Sequence, residues 1–259
     1  MRWTPEEIEQ RFALDELPQA CPYLPNQVAT LRFLDGWLAA GIYRELLDKG
    51  YRRSGTYFYR PNCPQCRACR ILRVPVARFE MSKEQRRIWR RNSACLHVRL
   101  AQPSFSWEKV HLYSDYLAHQ HHATVSDVPE REYKRFLVET CLGGHTIEVQ
   151  YLLNERLVGV GIVDCVGDAL SSVYFYYARE ARSLRLGTFS ALWEIELARS
   201  WGLQYYYLGY YIADCRAMSY KIRFKPCETK DVGDSKWTCH TRKNGEVIPT
   251  EDSTASLRS

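Results

Sequence analysis

Long apolar runs are missing from this sequence, and so is the apolar core of a secretory signal peptide. No stretch approaches the roughly 20 apolar residues that a membrane-spanning helix needs. The first residues, Met-Arg-Trp-Thr-Pro-Glu-Glu, are too polar for an export signal. Ten cysteines in a chain without such a signal are typical of reduced thiols. We therefore expect a cytoplasmic protein with no membrane partner.

The composition is that of a folded globular protein. Of the 259 residues, 46% are hydrophobic and 13% are aromatic, which is enough to bury a proper core. The length allows one large domain or two smaller ones, and we favour two. The predicted division is a cysteine-rich N-terminal domain over residues 1–94 and a second domain over residues 95–242. Residues 243–259 are polar and are predicted to be a disordered tail.

The net charge of +6 favours an anionic partner. Arginines concentrate in the N-terminal third of the chain, at Arg52-Arg53, between Arg60 and Arg73, and at Arg86-Arg87. Such a run is usually a solvated helix face. Here it is interleaved with Tyr51, Tyr57, Tyr59 and Trp89, a mixture that suits phosphate neutralisation combined with base stacking. The pattern indicates contact with nucleic acid.

Three cysteines stand close together in Cys63-Pro-Gln-Cys66-Arg-Ala-Cys69, and Cys21 lies upstream. Four thiols at one point would suit a tetrahedral zinc ion or an iron–sulfur centre. The alternative is that some of them are small buried apolar groups. A zinc site of this type normally has two Cys-x-x-Cys pairs, and the second pair is missing. The sequence therefore leaves metal binding at these four cysteines open.

The N-terminal segment reads as an α+β unit. A helix over 36–49 is followed by a strand over 56–60, the cysteine loop and a strand over 71–79. Ser82 is a good N-cap for a basic helix over 83–91.

The element order of the second segment is that of the acetyltransferase-like (GNAT-type) fold. The pattern predicts a strand, two helices, three antiparallel strands, a basic loop, a helix and a further strand. The fold class is therefore α+β, with a mixed and mostly antiparallel sheet. The predicted elements are strand 96–100, helices 106–119 and 129–141, strands 146–153, 157–165 and 170–177, helix 188–200, strand 203–208 and a short helix over 215–221.

The loop before the predicted helix 188–200 argues against coenzyme A. Acetyltransferases of this fold carry glycine at the position that Arg185 occupies in Arg182-Ser-Leu-Arg185-Leu-Gly187. The amides of that loop hold a pyrophosphate at the helix N-terminus, and an arginine side chain obstructs the approach. We therefore predict a larger acyl carrier and no cofactor.

Several ordered motifs lie between about Cys21 and Trp237. They are Cys21-Pro-Tyr-Leu-Pro, Tyr51-Arg-Arg-Ser-Gly, Tyr59-Arg-Pro-Asn-Cys63-Pro-Gln-Cys66, Gln85-Arg-Arg, Leu208-Gly-Tyr-Tyr-Ile and Met218-Ser-Tyr-Lys, which continues to Pro226. Together they resemble the aminoacyl-tRNA–protein transferases of the N-degron pathway. The bacterial branch, the aspartate/glutamate leucyltransferases, is the closer match.

The resemblance implies that leucine passes from leucyl-tRNA to the α-amino group of proteins that begin with Asp or Glu. The eukaryotic relatives transfer arginine, and their Cys-x-x-Cys and Cys-Cys pairs can hold an iron–sulfur cluster. In this sequence Leu24 and Asn62 stand at two of those cysteine positions. The partners implied are aminoacyl-tRNA and acidic N-terminal acceptors.

Chemistry suggests three sets of site residues. An aminoacyl ester is already activated, so no cysteine nucleophile is needed, and positioning supplies most of the catalysis. An acidic acceptor calls for an arginine fork. Core packing of the tyrosines and a surface location for Lys221 are the alternatives. The candidates are Tyr207, Tyr210, Tyr211 and Lys221 for catalysis, Arg52, Arg53, Arg60 and Arg223 for the acceptor acid, and Arg86, Arg87, Arg182 and Arg185 for tRNA.

Other functions remain open at this stage. The alternatives are arginyl transfer to the same acceptors, a coenzyme-A-dependent N-acyltransferase and a non-catalytic cysteine-cluster RNA-binding module. His121-His122 is more typical of a solvated helix end than of a metal site or general base. No partner is evident for Asp164 or Asp168, and neither is assigned an acid–base role.

Overall fold

A nine-stranded sheet forms the centre of the computed structural model, which describes residues 3–15, 18–120, 128–243 and 246–250. His121 and His122 lie outside the described residues. The strands are β1 (Leu14–Asp15), β2 (Gln19–Ala20), β3 (Val28–Ala29), β4 (Leu31–Asp35), β5 (Arg52–Ser54), β6 (Tyr57–Pro61), β7 (Arg70–Pro75), β8 (Leu96–Ala101), β9 (Thr146–Leu153), β10 (Arg156–Val166), β11 (Ala169–Tyr177), β12 (Tyr205–Tyr211), β13 (Cys227–Asp231), β14 (Thr238–Lys243) and β15 (Glu246–Thr250).

Helices connect and cover these strands. The α-helices are α1 (Pro5–Phe12), α2 (Gly36–Ala39), α3 (Tyr43–Asp48), α4 (Lys83–Ser93), α5 (Trp107–Gln120), α6 (Glu130–Tyr133), α7 (Leu186–Ser200) and α8 (Arg216–Ser219). Short 3-10 turns occupy Ala40–Ile42, Val76–Arg78, Gly143–His145, Arg179–Leu184 and Tyr220–Arg223, and a π-turn occupies Lys134–Val138.

The large sheet has the order β15-β14-β13-β7-β12-β11-β10-β9-β8. The β11–β12 pair is parallel, whereas the other neighbouring pairs are antiparallel. From β8 to β12 the chain runs strand, helix, helix, three strands, helix, strand. The predicted α+β class and acetyltransferase-like element order are therefore confirmed.

The two faces of the large sheet are covered by different layers. Helices α4 and α7 pack on one face over the largest apolar cluster, which contains Leu170, Leu192 and Tyr206. The other face meets the four-stranded sheet β1-β4-β6-β5 with α2 and α3, and further along it meets α5 and α6. The cysteine-rich N-terminal unit thus packs against the sheet and does not stand apart from it.

Local sequence explains why α4 begins where it does. The amide of Gln85 donates to Ser82 Oγ at 3.1 Å, and the amide of Ser82 donates to Gln85 Oε1 at 2.8 Å. This reciprocal capping box satisfies two amides that the first turn would leave without partners. Ile88 and Asn92 are buried, while the arginines point outwards. The predicted N-cap is confirmed, and the basic face of α4 is left for a partner.

The predicted boundary at residues 94 and 95 cuts across this sheet. Strand β7 precedes the boundary, yet it lies in the middle of the large sheet between β12 and β13. Residues 246–250, which the sequence places in a disordered tail, pair as β15 with β14. The adjacent β-branched Val247 and Ile248 suit a strand. Residues 251–259 lie outside the described residues.

A cleft opens in the sheet between the two parallel strands. β11 pairs with β12 at three positions, from Ala169 opposite Tyr205 to Ser171 opposite Tyr207. Beyond them β11 runs on to Tyr177 next to β10, while β12 runs on next to β7. The strands therefore separate after Ser171, and side chains of other elements reach the space between them.

A membrane-crossing role finds no support in the helices described. None of them is both long enough and apolar enough to span a bilayer.

Candidate active site

Two cationic side chains, Arg52 of β5 and Lys221 of the last 3-10 turn, meet at Gly209 in the cleft. A Cβ atom at Gly209 would lie 3.3 Å from Lys221 Nζ and 3.8 Å from Arg52 Nη2. Gly209 has a φ of +89°, and the β7–β12 register shifts between Tyr207 and Gly209. This left-handed conformation suits glycine, and the missing side chain leaves room for both cations.

Lys221 is an unusual lysine because it is buried. Only 9% of the residue is exposed, and its ammonium donates to the Tyr210 carbonyl oxygen at 2.8 Å. Burial, and then the charge of Arg52, lowers the pKa of Lys221 to about 7. A considerable fraction of this side chain is therefore a neutral amine near neutral pH, and it can accept a proton.

Arg52 is also buried, with 6% of the residue exposed. Its Nη2 donates to the carbonyl oxygen of Ser172, the first residue of β11 past the paired positions. Its Nη1 has no hydrogen-bond partner within the part of the chain that the structure describes. A buried guanidinium with an unused donor is costly unless an anion pairs with it. The cleft therefore offers a site for a carboxylate.

A cavity of about 410 Å³ adjoins this centre on the side of the N-terminal unit. Tyr59 and Tyr210 line it, with ring centroids 6.4 Å apart. The Tyr210 hydroxyl donates to the Gly50 carbonyl oxygen at 2.6 Å, so that its side chain fixes the cavity wall. Tyr23 of the upstream cysteine motif and Arg60 also line the cavity. It therefore combines apolar and aromatic surfaces with a cation.

All four candidate metal ligands, Cys21, Cys63, Cys66 and Cys69, line the same cavity. Their thiols nevertheless do not form a metal site: among residues 3–15, 18–120, 128–243 and 246–250, no three Cys, His, Asp or Glu side chains are placed to hold a metal ion. The Cys63 thiol lies against the backbone of Thr30. Burial, together with the nearby thiols, raises the pKa of Cys69 to about 12, so this thiol is protonated at neutral pH.

The four candidate catalytic residues are divided between different surroundings. Lys221 and the backbone of Tyr210 lie at the cleft. The Tyr207 hydroxyl instead donates to Asp48 at 2.5 Å and accepts from Arg44 and Arg73. Tyr211 packs against the cluster beneath α4 and α7. Tyr207 therefore belongs to a buried ion network. Because of the bulge at Gly209, Tyr207 and Tyr210 both face the N-terminal unit, whereas Tyr211 lies on the other face.

The four candidate acceptor arginines are likewise divided. Arg53 donates to Asp164 at 2.8 Å, and both side chains are at most 1% exposed. This pair supplies the partner that the sequence did not reveal for Asp164, and Arg44 does so for Asp168. Arg60 lines the cavity but pairs with Glu9. Arg53 Nη2 and Arg60 Nε also lack hydrogen-bond partners among the described residues, but both side chains are paired with a carboxylate. Arg52 is the buried candidate without a carboxylate partner in the described part of the chain.

Arg223 and the predicted tRNA-binding arginines lie near α4 and the turn before α7. The Arg223 carbonyl accepts from Gln85 Nε2 at 3.3 Å. Arg185 pairs with Glu84, and Arg91 donates to the Ser183 carbonyl oxygen at 2.7 Å. These contacts hold α4 beside the turn Arg179–Leu184. The exposed Arg86, Arg87, Arg182 and Arg185 therefore form one basic surface.

Arg185 itself adopts a left-handed conformation, with a φ of +54°, directly before α7. This is the arginine that the sequence analysis predicts to obstruct a pyrophosphate at the helix N-terminus. The helix N-terminus is therefore crowded by an arginine that is paired with Glu84.

The comparisons with known proteins decide the family. Models of arginine-tRNA-protein transferase match residues 19–87 for its N terminus and residues 108–231 for its C terminus. The aspartate/glutamate leucyltransferase of Marinobacter nauticus is 39% identical over 223 residues, covering 85% of this chain and 92% of that protein. The chain belongs to the aminoacyl-tRNA–protein transferase family.

Two further similarities accompany this result. The aspartate/glutamate leucyltransferase of Halorhodospira halophila is 40% identical over 214 residues, covering 82% of this chain and 90% of that protein. The solved structure of L-PGS from Bacillus licheniformis is similar with a TM-score of 0.42 and 13% identity, covering 68% of this chain and 50% of that one. The resemblance drawn from the motifs is confirmed, and this family member is an aminoacyltransferase.

Sequence reasoning missed three buried acids among the described residues of this transferase, Glu148, Glu194 and Glu228, and Glu194 of α7 has an oxygen without a partner. Its Oε2 accepts from the Tyr206 hydroxyl at 2.7 Å, and Oε1 has no partner among the described side chains. Burial raises the pKa of Glu194 to about 7. Glu194 falls on the buried face of α7, in phase with Ala191 and Ala198. The sequence does contain a signal for Glu194, because this acidic residue is in phase with the apolar residues of a buried helix face.

Proposed function

We propose that this transferase moves leucine from leucyl-tRNA to the α-amino group of proteins that begin with Asp or Glu. The observation that carries the proposal is the buried pair of Arg52 and Lys221, with one guanidinium donor unused, in the open cleft of the sheet. The names of the similar proteins support leucine as the amino acid transferred. The product is a protein with a destabilising N-terminal leucine. The reaction takes place in the cytosol, where charged tRNA is found.

The acidic side chain of the acceptor pairs with Arg52. A carboxylate matches the guanidinium fork and satisfies the unused Nη1 donor. In an N-terminal Asp or Glu, this carboxylate lies only a few bonds from the α-amine. Anchoring the acid at Arg52 therefore brings the amine towards Lys221. The adjoining cavity receives the residues that follow.

Lys221 acts as the general base and then as the general acid of the reaction. An α-amine has a pKa of about 7.7 to 8.0, so roughly a tenth of it is neutral at pH 7. The neutral amine attacks the ester carbonyl carbon, and a C–N bond forms. Lys221 takes the proton that the nitrogen loses. The C–O bond to the ribose then breaks, and Lys221 returns the proton to the departing ribose oxygen.

Positioning supplies the remainder of the rate acceleration. Holding an amine against an activated ester is worth up to about 7 to 11 kcal/mol when the geometry is good. No enzyme-bound acyl intermediate is required, and the raised pKa of the Cys69 thiol is consistent with this, since a protonated thiol is a poor nucleophile.

The tRNA approaches over the basic surface formed by Arg86, Arg87, Arg182 and Arg185. These side chains are exposed on α4 and on the adjacent turn. They neutralise backbone phosphates without reading the base sequence.

Replacing Arg86 and Arg87 together by Ala is expected to weaken tRNA binding and to lower the salt dependence of the association constant. The log–log slope should fall by about 1 for each phosphate that is no longer neutralised. Binding titrations over a series of salt concentrations measure this slope. The control carries Arg131→Ala with Arg135→Ala, two exposed arginines on the α6 side of the sheet. An equal slope for both double variants would remove α4 from the tRNA surface.

A transfer assay tests the proposed reaction. The full chain is incubated with tRNA charged with labelled leucine or labelled arginine, and with peptides that begin with Asp, Glu, Lys or Ala. Label from leucyl-tRNA on the Asp and Glu peptides alone is the expected result. Arginine on the same peptides would keep the chemistry and change the donor. No transfer from either tRNA, or acetyl transfer from acetyl-coenzyme A instead, would overturn the proposal.

A further inference from the structure

Three tyrosines from three separate elements converge at the open end of the cleft. Tyr116 comes from α5, Tyr177 ends β11, and Tyr220 begins the turn Tyr220–Arg223. The ring centroids of Tyr116 and Tyr177 are 5.4 Å apart. Tyr220 is close enough that its phenol, like that of Tyr177, contributes to the raised pKa of Tyr116. Together they form an aromatic surface, which we call the tyrosine platform.

The tyrosine platform is next to both the basic surface and the reactive centre along the chain. Tyr177 is separated by one residue from the turn Arg179–Leu184, which carries Arg182. Tyr220 directly precedes Lys221 in the chain. The platform is therefore connected to the turn that carries the basic residues and to the turn that carries Lys221.

Burial distinguishes these three rings from the neighbouring aromatic core. Tyr133 and Tyr176 are almost completely buried, and their hydroxyls bond to each other at 2.7 Å. The three rings of the tyrosine platform remain partly exposed. The Tyr177 ring also stacks on Phe175, with ring centroids 5.7 Å apart and an interplanar angle of 24°. A partly exposed aromatic surface beside a cationic surface is what unpaired bases stack on.

We propose that Tyr116, Tyr177 and Tyr220 form the stacking site for the 3′-terminal adenine of the tRNA, which presents the aminoacyl ester on its ribose to Lys221 and Arg52. This inference rests on the proposed function, since it assigns the place of the donor end. It adds a base-binding site to a surface that otherwise recognises only phosphate charge. The acceptor then reaches the ester from the cavity side of the sheet.

Fluorescence of a modified tRNA tests this site. Deacylated leucine tRNA, with 2-aminopurine in place of the 3′-terminal adenine, is titrated with the full chain. Stacking on the platform should quench the fluorescence. Tyr177→Leu and Tyr116→Leu should each reduce the quenching and weaken binding about fivefold or more, since stacking of a base on an aromatic ring is worth about 1 to 3 kcal/mol. Tyr177→Phe, which keeps the ring, should restore both.

Truncated tRNA and a distant aromatic residue serve as controls. tRNA without its terminal nucleotide should bind the wild type and the Leu variants equally. Trp201→Leu removes a ring that is 40% exposed beyond the other end of α7, about 22 Å from its start, and should bind like the wild type. Thermal unfolding checks that each variant is folded.

Two results would overturn the stacking site. One is an equal loss of affinity for complete and truncated tRNA. The other is unchanged tRNA binding with a raised KM for the acceptor peptide, which would assign the platform to the acceptor. Because the tRNA is deacylated, repeating the titration with arginine tRNA separates this test from the choice of amino acid. Failure of leucine transfer would therefore leave the fluorescence result intact.

Discussion

Lys221→Met is expected to lower kcat/KM for transfer by about 10²- to 10⁴-fold, the usual contribution of a positioned general base. The variant keeps a side chain of similar length in the buried site and removes the group that accepts the proton. Steady-state transfer to a peptide beginning with Asp, with charged tRNA in excess, measures the loss. A fall of less than tenfold would exclude Lys221 as the base.

The pH profile gives a second readout of the same residue. Lys221 must be neutral to act, so wild-type activity should rise as the pH rises through about 7. The groups that act electrostatically on its ammonium are Arg52, which lowers its pKa, and the thiols of Cys69 and Cys215, which raise it. The Lys221→Met variant should lose the rise in activity that follows Lys221. The pH dependence that remains should come from ionisation of the acceptor amine.

The lowered pKa of Lys221 also makes folding stability depend on pH, in the same direction as activity. The pKa of Lys221 is lowered from 10.5 to about 7, so between these values the unfolded chain binds more protons than the folded chain. Folding stability therefore rises with pH across this window and is lowest below it. Lys221→Met removes the cost of burying the ammonium and should unfold at the same or a higher temperature at pH 7.

Lys230→Met is the matched control, because Lys230 is also buried but lies over Trp237. It should retain wild-type activity and the same pH profile. If both lysine variants lost activity alike, general disturbance of the sheet would explain the result better than proton transfer.

Arg52→Gln is expected to lower kcat/KM for an Asp peptide by about 30- to 5,000-fold, since truncating one member of a buried charged pair costs about 2 to 5 kcal/mol. Glutamine keeps a polar amide in the buried site, but it is two bonds shorter than arginine and does not reach the Ser172 carbonyl oxygen that Arg52 contacts. It cannot balance the charge of the acceptor carboxylate. The preference for peptides with an acidic first residue should therefore be lost, while the fold is retained.

Peptides that begin with Asp or Asn form the test, because Asn has nearly the same shape without the charge. The wild type should strongly prefer Asp, and Arg52→Gln should bring the two rates close together. Arg60→Gln gives a comparison, since Arg60 is already paired with Glu9 and should change the ratio much less. An unchanged Asp-to-Asn ratio in Arg52→Gln would show that another cation reads the acid.

Much of the fold could be predicted because its signals are local. The capping box of Ser82 and Gln85 spans three residues, and the periodicity of the helices and strands spans a few more. The order of those elements was sufficient for the acetyltransferase-like class. The β7 insertion into the large sheet could not be predicted, because its neighbours β12 and β13 come more than 100 residues later in the chain.

The candidate site was predicted less well, for a related reason. Lys221 stays a predicted catalytic residue, and the sequence does not show that it is buried beside Arg52. Tyr207 looks equivalent to Tyr210 in the sequence, yet its hydroxyl lies among Asp48, Arg44 and Arg73. The spacing of the cysteines left metal binding open. Whether four thiols can surround a metal depends on how the fold brings Cys21 to the loop of Cys63, Cys66 and Cys69, and the spacing does not show this.

By itself the sequence determined the family, the local elements and the concentration of arginine in the N-terminal third. Only the tertiary structure decided which arginine remains available. Arg52 and Arg53 are neighbours in β5 with the same chemistry. Successive side chains of a strand point to opposite faces, so Arg53 meets Asp164, 111 residues away, while Arg52 reaches the cleft with a donor unused. The distant carboxylate of Asp164, which no local pattern contains, holds Arg53 in an ion pair, and in our proposal Arg52 binds the substrate.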